Sequence, residues 1–137
     1  MTIVKFAGFI IAVLFLVFGA HLLLYNSIMR FWSVSDPAVR RVLMWLMVFF
    51  ALSFFPSAVL LRFHYNVCTS LFYLFSCLWL GLFIHLLMAL PLIWAVFGLG
   101  KWIGFTPDMR VVSLGFFLLA AFLSAYGLWR AHNPEIK

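Results

Sequence analysis

Two histidines, His21 and His85, are the residues of this 137-residue chain whose type and placement could carry chemistry. Each lies about eighteen residues into a long apolar run. Ionisable groups inside a membrane span are functional candidates by default. Runs one and three of a chain that crosses back and forth are parallel. At 1.5 Å per helical residue, the two rings therefore fall at similar depth. If the two helices are neighbours, the imidazoles could share a hydrogen bond, a metal ion or a haem held through two axial ligands. The competing reading is structural. Near one bilayer interface an imidazole reaches headgroups, water or a backbone carbonyl, and the sequence favours that role, with no cofactor or metal assigned to the chain. His64 and His132 fall in a loop and near the C-terminus, where water is at hand.

The elements that must position these rings follow from composition. The chain is 68% hydrophobic, 20% aromatic and 9% charged, with 18 Phe. A soluble domain would carry about a quarter charged residues. A Lys, Arg or Asp at the centre of a bilayer costs roughly 3 kcal/mol, and here the charges fall between apolar runs or at their ends. The net charge of +6 comes from scattered Lys and Arg, without the basic stripe of a nucleic-acid reader. The expected fold is all-α: a four-helix transmembrane bundle over residues 1–131, with helices at about 3–25, 37–63, 67–90 plus 92–103, and 107–131. A polar stub, 132–137, closes the chain. The first run continues too far, and lacks a cleavage site, to be a signal peptide.

Local chemistry sets the boundaries. Asp36 and Pro37 read as an N-cap followed by proline at the first helical position, and Thr106 and Pro107 read the same way for the fourth helix, with Asp108 in its first turn. Pro56 should kink the second helix, with Ser53 and Ser57 available to the carbonyl it frees. Pro91 divides the third run into a span and an interfacial extension; one long tilted helix is the alternative. Gly81 is expected to permit close helix approach, with Trp79 filling the adjacent groove. The small residues Ala120, Ala121, Ser124, Ala125 and Gly127 read as a face for another helix. Cys68 and Cys77 face opposite sides of one helix and read as inert buried thiols. Five basic residues on the loop side against four on the terminal side set no orientation. The two halves share a layout of span, aromatic-rich loop, proline start and span.

Catalytic parts are sparse. The only acids are Asp36, Asp108 and Glu135, none inside a span. Two-carboxylate chemistry and a proton relay therefore lack their groups. There is no H-E-x-x-H, C-x-x-C, nucleophile elbow, P-loop or dinucleotide fingerprint.

The segment from Tyr126 through Gly127, Leu128, Trp129 and Arg130 to Pro134 and Lys137 resembles the exit of the N-terminal membrane domain of bacterial membrane-bound calcineurin-like metallophosphoesterases. The start of the first run through His21 and Tyr25, and the stretch Trp79-Leu80-Gly81, are similar as well. The resemblance implies an anchor for a metal-dependent phosphohydrolase whose catalytic domain binds two divalent metals through Asp-x-His, Gly-Asp, Asn-His-Glu/Asp and Gly-His-x-His motifs. None of these occurs here. The implied role is a non-catalytic membrane anchor in a bacterial inner membrane, partnered by lipids and a C-terminal catalytic domain. The alternatives are a small accessory subunit of a larger membrane complex and a haem-binding bundle using His21 and His85. Transport is a weaker reading, because the spans lack charge.

Overall fold

A computed structural model describes residues 3–132. The chain is all-α, with α1 at Ile3–Trp32, α2 at Pro37–Phe63, α3 at Val67–Trp102 and α4 at Met109–His132. All four helices are long and apolar enough to cross a membrane. Each closes its own backbone hydrogen bonds, the condition for crossing hydrocarbon. The chain is thus a multi-pass helical membrane protein. It divides into two compact units, Met1–Tyr73 and Leu74–Lys137.

In the first unit, α1 packs on α2. The buried positions of α1 are His21, Leu24, Ser27 and Phe31, a stripe at the three-and-four spacing of a helix face. That stripe explains why α1 continues to Trp32 instead of stopping near Tyr25. Asn26 and Arg30 are exposed and fall off the stripe, so they do not interrupt it. On α2 the buried positions are Met47, Ala51, Ser53 and Ser57. The Tyr25 hydroxyl donates to the Arg40 carbonyl at 3.4 Å, joining the two helices near their loop.

Pro56 sits inside α2 without ending it. The expected rescue of its freed carbonyl by serine does not occur. Proline at 56 leaves the Leu52 carbonyl without its i+4 donor, yet Ser53 donates to Phe50 O at 3.0 Å and Ser57 to Phe54 O at 2.8 Å. A helical serine reaches the carbonyl three or four residues before itself, so neither serine is placed to reach Leu52.

α3 runs unbroken for 36 residues through Pro91, so the single long helix replaces the expected division at 90–92. At 1.5 Å per residue it is about 54 Å long, against roughly 30 Å of hydrocarbon, so it tilts or extends into the headgroup layer. Ser76, Phe83, Leu90, Ile93 and Gly100 are buried along it. The steps of seven from 76 to 83 to 90, and from 93 to 100, trace one seam. On α4, Ser113 and Ala120 are buried, also seven apart.

The loops reverse the chain by similar means. After α1, Ser33 takes a left-handed conformation (φ 48°), and the Val34 N–H donates back to Met29 O at 3.2 Å. After α3, Gly104 does the same with φ 74°, and the Phe105 N–H donates to Gly100 O at 2.8 Å. Both are helix ends closed by a left-handed residue. An aspartate cap follows each: Asp36 Oδ1 accepts from the Ala38 N–H at 2.8 Å, and Asp108 Oδ1 from the Arg110 N–H at 2.9 Å. In the fourth helix the cap is therefore Asp108, not Thr106, and Pro107 precedes the cap instead of opening the helix. The displacement has a steric cause. Pro107 lies over the end of α3, where its Cδ would be 3.1 Å from a Cβ on Gly100.

The α2–α3 loop holds a signal that the sequence reading missed. Asn66 and Thr69 form a reciprocal cap: Thr69 N–H to Asn66 Oδ1 at 2.9 Å, and Asn66 N–H to Thr69 Oγ1 at 3.1 Å. The Thr69 hydroxyl donates to His64 O at 2.6 Å. The N-x-x-T spacing is a variant of the capping box.

Two glycines two residues apart should respond oppositely to alanine. A Cβ at Gly100 would sit 2.7 Å from the Phe105 carbonyl oxygen, which belongs to the loop backbone, whereas at Gly98 it meets nothing within 4 Å. Gly100→Ala is expected to destabilise by about 1–3 kcal/mol, and Gly98→Ala to stabilise by up to about 1 kcal/mol through helix propensity. Reversible unfolding in mixed micelles measures both. Asp36→Ala and Asn66→Ala should each cost about 1 kcal/mol in the same assay.

Candidate functional site

One of the two intramembrane histidines lines an open cavity, in the second unit between α3 and α4. A groove of about 600 Å³ runs between Cys77, Gly81 and His85 on α3 and Ala121, Ser124 and Ala125 on α4, flanked by leucines. Its volume falls in the range of small-molecule sites, roughly 300–1,000 Å³. Its lining includes no Lys, Arg, Asp or Glu.

His85 and Ser124 meet across this groove. His85 Nδ1 is 2.8 Å from the Gly81 carbonyl, one turn back on its own helix, and 3.1 Å from Ser124 Oγ. The Ser124 hydroxyl donates to Ala120 O at 2.9 Å. These contacts settle the tautomer. The Gly81 carbonyl can only accept, and the single Ser124 proton is directed to Ala120. Nδ1 therefore carries a proton and shares it between Gly81 O and Ser124 Oγ, which leaves Nε2 as the ring's other polar atom.

His21 repeats the local pattern in the first unit. It is 2% exposed, and its Nδ1 donates to Val17 O at 2.9 Å. The void beside it, walled by Phe18, Met44 and Met47 among others, measures about 30 Å³, an order of magnitude below a ligand cavity. Each histidine is thus anchored through its own helix. Among the described residues no three His, Cys, Asp or Glu side chains gather as a metal site.

Gly81 and Trp79 differ from expectation. A Cβ at Gly81 meets nothing within 4 Å, so this glycine does not bring helices together; it leaves the groove its room. Trp79 stacks on Phe83, with ring centroids 6.3 Å apart and planes inclined by 27°, and is not part of the groove wall. The small face of α4 is also divided: Ala120 is buried and Ser124 half-buried, while Ala121, Ala125 and Gly127 are exposed along the groove. Cys68 is exposed, which corrects the expectation of two buried thiols, and Cys77 is half-buried in the groove wall. The buried serines Ser53, Ser57 and Ser113 each donate to a carbonyl of their own helix. No buried side-chain polar atom among the described residues lacks a partner.

The interhelical bond is measurable. Removing His85 and Ser124 singly and together, as His85→Ala and Ser124→Ala, should give a coupling energy of about 0.6 kcal/mol, the typical strength of a side-chain hydrogen bond between membrane helices.

Comparison with family models, curated proteins and solved structures finds no match to this chain.

Proposed function

We propose that the chain is a non-catalytic membrane module that holds a soluble enzymatic domain at the bilayer surface. The observation that carries this reading is how the polar groups inside and beside the spans are used. Asp36 and Asp108 cap helices. The serines Ser53, Ser57, Ser113 and Ser124 and both intramembrane histidines bond to carbonyls of their own helices. The side-chain chemistry is directed to completing helices, and large apolar residues such as Phe15, Leu16, Leu118 and Phe122 face outward, where lipid would cover them. The finer assignment, a calcineurin-like metallophosphoesterase as the attached domain and a bacterial inner membrane as the location, rests on the resemblance that begins at Tyr126. Its last residues, 133–137, lie outside the described part of the structure. An anchor of this kind acts by effective concentration, because confining an enzyme to the surface that carries its substrate raises encounter without new contacts.

Fusing the chain to a soluble phosphodiesterase tests the role. Activity on a vesicle-borne phosphodiester should rise by about a hundredfold over the unfused enzyme, with activity on a water-soluble ester unchanged. Equal rates on vesicles would remove the anchor role. Phosphodiester hydrolysis by the reconstituted chain alone with Mn²⁺, abolished by a chelator, would show that it is catalytic.

A further inference from the structure

We infer that the α3–α4 groove is a binding site for an uncharged long-chain lipid that carries a hydroxyl group. The walls decide the body of the ligand. They are leucine and alanine side chains with an open floor at Gly81, where even a methyl group would touch nothing. An apolar chain fits such walls, and a helix in a membrane borders on little else. The charge of the lining decides the class. With no ionic side chain at the groove, an anionic or cationic headgroup would enter unpaired, at a cost that a neutral lipid avoids.

The polar pair decides the end group. Nδ1 of His85 is committed to Gly81 O and Ser124 Oγ, and the Ser124 proton to Ala120 O. The groove's histidine therefore keeps Nε2 as its remaining polar atom, and a lipid hydroxyl, which both donates and accepts, can bond to it. A ketone or ether, which only accepts, gains no bond there while the ring is neutral. The helix geometry supports this division of labour. Gly81 and His85 are one turn apart, so the carbonyl that fixes the ring belongs to the residue that opens the floor. This site does not depend on the anchor role, and a protein of any function could carry it.

The chain's own thiols supply the readout. Cys77 lines the groove, whereas Cys68 is exposed and outside it, so Cys68 is an internal reference. The protein in mild detergent is labelled with N-ethylmaleimide in the presence of oleyl alcohol or of octadecene, and labelling at each cysteine is followed by mass spectrometry. Oleyl alcohol is expected to slow labelling of Cys77 relative to Cys68. Octadecene should need about tenfold more to do the same, the effect of one hydrogen bond. His85→Phe should erase the difference between the two probes while leaving protection by octadecene. Comparing the two probes on the unaltered protein keeps the test decisive if that variant does not fold. Equal protection by alcohol and alkene would overturn the hydroxyl assignment. Equal slowing at both cysteines would show detergent effects alone and overturn the site. Protection of Cys77 that rises with protein concentration without added lipid would identify a second copy of the chain as the occupant, and would likewise overturn it.

Discussion

A polar group in hydrocarbon has no water to turn to, and most of this structure follows from that constraint. Each helix closes its own backbone ladder, and several serine hydroxyls inside the spans bond to carbonyls within one turn of themselves. Ser53, Ser57, Ser113 and Ser124 all do so, although they lie on two different helices. His21 and His85 use the same solution with a ring nitrogen. Polar side chains thus enter the spans without requiring a distant partner. Ser124 goes further: its oxygen still has a lone pair after the hydroxyl has donated, and His85 reaches it from α3.

The same constraint shapes the loops. A helix that stops leaves carbonyls at one end and N–H groups at the other. At Ser33 and Gly104 a left-handed residue lets the following N–H groups fold back onto those carbonyls, and at Asp36, Asn66 and Asp108 a side-chain oxygen accepts from the next helix. The α1–α2 and α3–α4 reversals use the same sequence of devices with different residues. Glycine takes the left-handed position without strain, whereas serine carries a Cβ into it. Gly100 is needed for a separate reason, since the loop backbone at Phe105 closes directly over it.

The groove between α3 and α4 measures about 600 Å³ and is bordered by small residues of both helices. Small residues on membrane helices usually let two backbones approach. Here Gly81, Ala121 and Ala125 border open volume instead. At this level the two helices are spanned by the His85–Ser124 contact. An all-apolar cleft would attract any hydrocarbon; one imidazole of fixed tautomer makes it selective.

The solvent, the number of helices and most helix starts were legible in the sequence, because they depend on local facts. Apolar run length against bilayer thickness gives the spans, and an aspartate before a proline gives the start of α2. The sequence reading failed where two distant segments compete for one place. Asp108 replaced Thr106 as the cap because Pro107 packs against the end of α3. α1 outran its apolar stretch because Leu24, Ser27 and Phe31 continue a buried stripe that α2 makes worthwhile. α3 continued through Pro91 because one missing N–H does not stop a helix whose seam is buried on both sides of it. Which histidine would face a cavity, and that Ser124 would meet His85 across 39 positions, depended on the rotation and register of helices that are apolar on nearly every face. Such helices carry little hydrophobic contrast to show which side packs. By itself, then, the sequence determined the medium and the local chemistry of each helix end. Only tertiary structure decided the partners, because in a lipid solvent burial is no longer signalled by apolarity.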